Sequence, residues 1–577
     1  MLYIKNISFG FALLFFVYTL KAQTNGITKS NPFTIRGSAG ASANFYHSNE
    51  TFYSQPSFSW NVNGNFVAKI NAVTLPFSFI ANQYGSSHQG TYFQFGISPT
   101  YKWAVLHLGY RYIPFSPLTF GGQTFQGIGI ELNPKQFRFA AFYGRLNKAF
   151  NEDTVQGQFR LPQYSRKGYG FKIGVGNASS YFDLIYFHAK DDSSSASVIN
   201  KDFVSAEENA VLGSSFRLAM LKKKMVLTGD MALSGLIPDL SSDSKSLDSS
   251  NKGLKKFMNN FLPSNMGTLA SYAGQSSLSY YSPKYNGSFN YRRIQPNFKS
   301  LGTPYLLNDI ELVTLNNNYS MAKGKINIST SLSQQHNNLK NELPVELKTQ
   351  VGNFNINTII TQRLSVNVNY SGYNLKQKNG NSQVPDSLRL NDTLLLKQRI
   401  SQLNISPSYY ISKNNILHYI SGNFSLQSLK DKNPTTAPLT NSKNLSASTN
   451  YTLSLLKKSL SFSVNYLFSR YKQEANSYNS NGFTIGTSSQ LLKNKNLNIQ
   501  GNVGYYANKF SNISKQKNMS YSANISYNAK RHSLNLFANY IYTPPNNEIT
   551  KAINSTFPYA VATKNFYGGI SYTYSIY

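Results

Sequence analysis

An all-β chain folded as a transmembrane antiparallel up-and-down β-barrel of about 24 to 26 strands is the architecture this sequence predicts. Three observations predict it. Apolar and polar residues alternate strictly along most of the chain, rings are abundant where charges are scarce, and the connections between alternating segments switch between short and long.

The alternation starts near Phe33 and is renewed to the C-terminus. Leu364, Val366, Val368 and Tyr370 interleave with Ser365, Asn367 and Asn369, which puts one apolar and one polar face on a strand. Phe58, Trp60 and Val62 do the same, as do Phe462, Val464 and Tyr466, and Met519 to Tyr527. A strand of a soluble sheet usually runs only about 5 to 6 residues, whereas a tilted strand needs roughly 9 to 11 to cross a bilayer. The longer runs here fit the second case.

Composition points the same way. The chain carries 41 Tyr and 39 Phe, yet only 14% of its residues are charged, against about 25% for a soluble domain. With no cysteine there is no lipid-anchored cysteine, no disulfide and no thiolate metal site. The net charge of +33 is compatible with an anionic membrane face or an anionic solute. No motif or basic helix face supports nucleic acid as a partner.

Short connections include Asn133-Pro134-Lys135, Leu221 to Lys224, Thr361 to Arg363, Ser412 to Asn415 and Ala529 to Arg531, with longer polar links at 147–166, 191–208, 377–395, 429–442 and 544–561. A barrel with short turns on the periplasmic side and long loops outside has this rhythm, and an even strand count places both termini in the periplasm. Residues 268–296 resist parsing.

The ends carry the export and assembly signals. Lys5, an apolar run from Ile7 to Leu20 and a small residue at Ala22 read as a cleaved signal peptide over residues 1–22, leaving 23–577 as barrel. At the other end, Tyr567-Gly568-Gly569-Ile570-Ser571-Tyr572-Thr573-Tyr574 resembles the assembly signal of Gram-negative outer-membrane β-barrel proteins. That resemblance implies that Tyr567, Gly569, Tyr572 and Tyr574 are read by the barrel-assembly machinery and that the chain resides in the cell outer membrane among its lipids. The trailing Ser575-Ile576-Tyr577 departs from the pattern.

Barrels of this size are generally plugged, but alternation begins too early here for a globular plug in front of it. Occlusion would have to come from loops or a partner. The longest departure from strand pattern is 236–275, in which Leu254, Phe257, Met258, Phe261 and Leu262 form a helical stripe ended by Pro263. We read a short helix from Asn251 to Leu262, either folded into the lumen as a gate or packed within a surface loop. Of the adjacent Arg292 and Arg293, only one can face inward unless both lie at the rim.

Catalysis finds little support. The seven histidines are scattered, and only His188 with Asp191 and Asp192 is compact enough for acid–base work. No enzyme activity, cofactor or metal is expected. The periplasmic turns, by contrast, are strongly basic. Lys222, Lys223, Lys224, Lys323, Arg363, Lys413, Lys457, Lys458, Lys493, Lys495, Lys530 and Arg531 would form a cationic rim, serving lipid headgroups or an acidic periplasmic or lumen-plugging partner. The leading functional reading is a transport or secretion pore, porin-like. The other is a non-conducting platform that recruits a partner protein.

Overall fold

Alternating faces on successive strands close into a ring. The computed structural model describes residues 33–49, 56–83, 92–151, 162–197, 204–241, 252–258, 260–262, 268–380, 395–474, 476–511, 514–545 and 562–577; the signal-peptide assignment at 1–22 lies outside them. With one exception each strand pairs antiparallel with the next in sequence, and β1 (Phe33–Ser48) pairs with β27 (Thr563–Ile576), so the sheet has no free edge. Closure leaves no unpaired backbone toward lipid.

One position of the ring is shared. β4 (Tyr92–Ile97) and β5 (Thr100–Tyr101) both lie between β3 (Val73–Asn82) and β6 (Ala104–Arg111), interrupted at Ser98-Pro99. Pro99 has no N–H to give the ladder, yet its carbonyl still accepts from Leu106 N at 2.9 Å. The 27 strands therefore make 26 staves, at the upper end of the expected count. At a strand spacing of ~4.8 Å and a tilt of ~40°, such a ring is about 50 Å across.

Nearly all the short connections fall at one end of the barrel; those from Gln473 to Asn476 and from Phe510 to Ser514 fall at the other. Turns such as Asn414-Asn415, with φ of 49° and 63°, and Ala322-Lys323, with φ of 52° and 57°, have two consecutive left-handed residues, the twist that lets a tight hairpin follow its strands. The difficult stretch 268–296 resolves into β13 (Leu269–Tyr281) and β14 (Tyr285–Ile294) around a short turn at 282–284. Both described ends of the chain lie on this short-turn side.

Register fixes the two faces. On β18 (Leu364–Asn379), Val366, Val368 and Tyr370 point outward, where bulky apolar side chains are widely exposed. Ser365, Asn367 and their neighbours point inward and bond across strands, as in Ser365 to Ser408 at 2.7 Å and Ser331 to Asn316 at 2.7 Å. Outward apolar area needs lipid to cover it. The barrel is of the outer-membrane type.

Candidate functional site

The strands of one side break the polar-inside rule. On β10 (Tyr181–Asp192), Ile185, Phe187 and Ala189 face inward and are buried. They are covered by two long-loop segments that turn down into the barrel: residues 112–124, between β6 and β7 (Phe125–Leu132), and residues 295–309, between β14 and β15 (Ile310–Met321).

The first segment is a tight hairpin. Phe115 N donates to Phe120 O at 3.1 Å and Thr119 N to Ser116 O at 3.2 Å, which presents Ile113, Phe115, Leu118 and Phe120 to the wall. Phe120 stacks on Phe142 at 4.3 Å and on Phe187 at 5.5 Å, while Phe125 stacks on Phe142 at 4.7 Å. Burying a Phe contributes about 1.5–3 kcal/mol, and stacked pairs about 0.5–1.5 more. The wall has sockets for this layer. A Cβ on inward Gly129, Gly170 or Gly213 would fall within 3 Å of Ile113, Phe115 or Thr119 respectively.

The second segment lies against the first and is held by its backbone. Gly121 N donates to Gly302 O at 3.1 Å, and Ser300 Oγ donates to Thr119 O. Asn209, fully buried on the inner face of β11 (Glu208–Met220), donates to Lys299 O at 3.1 Å and to Gly235 O at 2.8 Å, and accepts from Leu301 N at 3.1 Å. Ser271 Oγ donates to Pro296 O at 2.7 Å, and Lys172 Nζ to Pro114 O at 3.2 Å. Loop carbonyls that leave water thus find partners on the wall, without which each would cost about 1–3 kcal/mol.

Several charges on this inner wall are paired. Arg166 holds Asp191 through two bonds of 2.7 and 2.8 Å and reaches Glu207 at 3.2 Å, and Glu207 also meets Lys299 of the second segment. Arg138 grips Asp183 at 2.8 and 3.0 Å with its guanidinium over the Tyr181 ring. Beneath the layer a lumen-facing niche of about 250 Å³ is lined by Thr228, Asp230, Gln275, Asn290, Arg292 and Thr314.

The residues singled out in the sequence are distributed differently. The stripe of 254–262 lies on α1 (Lys252–Met258) and the turn after it, and it packs on the outer face of the wall. Met258 and Leu262 cover outward Ala210, Gly235, Ile237 and Ala270, with Phe261 against Tyr186, while Leu254 is partly buried and Phe257 exposed. An apolar stripe needs an apolar floor, and the outer wall offers one; of the two placements left open for this helix, gate in the lumen or packing at the surface, the contacts are those of packing at the surface. The inward-folded elements are 112–124 and 295–309. Arg292 faces inward, donating to Gln275 Oε1 at 2.9 Å, and Arg293 faces outward to Glu311 at 2.6 Å.

His188 and Asp191 lie on opposite faces of β10: His188 pairs outward with Glu208 at 3.0 Å, and Asp191 inward with Arg166. The compact acid–base set is therefore split. Among the described residues no group of three or more His, Asp or Glu could hold a metal ion. On β27, Tyr567 and Gly569 face inward beside Phe537, whereas Tyr572 and Tyr574 face outward next to His532 near the short turns. Lys222, Lys223, Lys224, Arg363, Lys413, Lys457, Lys458, Lys530 and Arg531 ring the short-turn end. In the sequence the inner layer leaves only local traces, prolines and rings off the strand pattern at 113–120 and 296–304, while the contacts that build it join distant segments.

No family model and no curated protein match this sequence. Among solved structures, the chain is similar to the translocation pore of the P pilus usher PapC, at 10% identity and a TM-score of 0.36, covering 94% of this chain and 99% of that one. It is similar to the siderophore receptor PirA from Pseudomonas aeruginosa at 10% identity and 0.35, covering 94% and 80%. OccAB2 of Acinetobacter baumannii gives 10% identity and 0.32, covering 65% and 98%. The likeness at this level is one of general architecture.

Proposed function

We propose that this chain is an outer-membrane transport or secretion pore whose lumen is narrowed from one side by a fixed inner layer. The observation that carries the reading is the asymmetry of the inner wall. Segments 112–124 and 295–309 are bolted to the strands from β7 to β15, while the inward faces from β16 (Ile326–Asn337) to β27 present mainly Ser, Asn, Thr and Gln, with scattered larger side chains such as Tyr506 and Phe537. A 26-stave ring has more lumen than such short side chains fill. Small polar side chains bonded to one another give a wall along which a hydrated solute can move without a strong binding site.

Planar-bilayer recording tests this. Replacing residues 113–122 with a short Gly-Ser link, which leaves the strand ladder intact, is expected to raise single-channel conductance. Arg292→Glu is expected to shift selectivity toward cations, because the guanidinium faces the niche under the layer. Silence of the intact chain, with a co-purifying protein, would instead support the platform reading. What favours that second reading is the short-turn ring of cations, none of which has a carboxylate partner among the described residues.

A further inference from the structure

The outer wall carries a second feature that a pore does not need. Across β17 (Val345–Ile359), β18 and β19 (Lys397–Lys413), the register sets Lys348 opposite Lys376 and Lys376 opposite Lys397, all outward at the long-loop end. One row nearer the membrane centre, Arg399 stands opposite Lys430 of β20 (Ile416–Asp431). Cross-strand neighbours lie about 4.5–5.5 Å apart, where like charges repel. Of these cations and Lys378 beside them, Lys378 alone has a carboxylate partner among the described residues, Glu346 at 2.7 Å.

Directly below this cluster the wall is dented. Gly352 and Gly372 are register partners on the outward face. Neither has the left-handed backbone that would demand glycine, and a Cβ on either would meet nothing closer than 3.5 Å. No internal packing explains them. They open a groove of about 630 Å³ with Leu315, Leu332 and Tyr370 on its apolar side and Arg399 and Lys432 at its long-loop end.

We propose that this groove binds a phosphate-bearing lipid of the leaflet that faces the long-loop end, with an acyl chain over Gly352 and Gly372 and phosphate between Arg399, Lys432 and the Lys376 row. The vertical order, cations above and an apolar dent beneath, matches the order of head and tail in a leaflet lipid. The row of like charges supplies the reason for occupancy, since phosphate between lysines turns repulsion into attraction. The inference rests on the chain spanning a membrane; failure to insert into vesicles would remove that premise, whereas insertion without lipid preference removes only this site.

The test uses the full-length chain purified in neutral detergent and exchanged with a bis-phosphorylated glycolipid or with phosphatidylcholine of matched chain length, retained lipid being counted by mass spectrometry. The glycolipid is expected to be retained about tenfold or more over phosphatidylcholine. The variant Lys376→Gln, Arg399→Gln, Lys432→Gln is expected to lose most of that preference. The variant Gly352→Leu, Gly372→Leu is expected to weaken glycolipid retention while leaving displacement by inorganic pyrophosphate unchanged. Heat-dependent gel mobility shows that each barrel is intact. Equal retention of both lipids, or an unaffected charge variant, overturns the proposal. So does full competition by pyrophosphate with an unaffected glycine variant, which marks a soluble-anion site, or a dimer that the glycine variant dissolves, which marks a self-association face.

Discussion

The two sides of this barrel solve different problems with the same strand geometry. From β7 to β15 the wall is apolar outside and also over the part of its inner face that two loop segments roof, and it is short; β7 runs only 8 residues and β14 only 10. From β17 to β25 it is tall, with β19 reaching 17 residues, polar inside and unroofed by any described segment. Charges differ too. On the first side outward Lys190 and Arg293 each meet a glutamate, at 3.0 and 2.6 Å, while on the second side lysines face lysines. The first side behaves like a small two-layer domain built into a membrane wall, and the second like a plain pore lining. In the pore proposed above, a layer on one side with a bare wall opposite would supply the constriction.

The largest contrast is expected in core truncation. Phe120→Ala removes a fully buried ring from its packing against Phe115, Phe142 and Phe187 and should lower barrel stability by about 3–5 kcal/mol. Tyr506→Ala, on an inward half-buried ring of β24 (Leu497–Phe510) whose hydroxyl bonds Thr484 at 3.0 Å, should cost well under half as much. Denaturant midpoints in lipid check both, and equal losses would mean that the layer is not a packed core.

A middle-sized contrast comes from two asparagines. Asn209→Ala strips the buried clamp on Lys299 and Leu301 and should cost about 1–3 kcal/mol, the penalty of buried groups left without partners. Asn524→Ala loses a 3.0 Å bond to Asn535 on the water-lined face, where solvent replaces it, and should be close to neutral. Conductance separates them further. Only the first is expected to make openings noisy, because it frees the second inner segment.

How much of this was legible follows from periodicity. Strands such as β22 (Leu460–Gln473), with Phe462, Val464 and Tyr466 out and Ser461, Ser463 and Asn465 in, announce themselves because one face meets lipid and the other water. The barrel, the even count and the short-turn end all follow from that. The inner layer does not, because it depends on which segments meet across the sequence: Thr119 touches Ser300 only after the barrel closes. A trace of it was nevertheless present. In 182–187, Phe-Asp-Leu-Ile-Tyr-Phe is apolar at nearly every position, and a strand apolar on both faces must be covered on both. The helical stripe at 254–262 left two placements open for the complementary reason, since amphipathicity states that a face is covered and not by which wall.

The smallest effect is the one with a sign. Arg293→Gln leaves Glu311 with only the Tyr291 hydroxyl, at 3.0 Å, as a partner; exposed pairs of this kind contribute about 0–1 kcal/mol, so the midpoint should fall slightly. Lys378→Gln also breaks an outward pair, with Glu346, and by pair counting should fall by a similar amount. The surroundings argue otherwise. Lys376 and Lys348 occupy the adjacent row of the same face, so removing the Lys378 charge relieves repulsion and frees Glu346 to serve those neighbours. In a zwitterionic bilayer the Lys378→Gln midpoint should therefore hold or rise while the Arg293→Gln midpoint falls, and about 1 M salt should erase the difference by shortening the screening length to roughly 3 Å. In a bilayer rich in anionic lipid, Lys378→Gln should lose its advantage, because phosphate already relieves the repulsion. Parallel falls in the zwitterionic bilayer would show that the lysine rows are too well screened to matter.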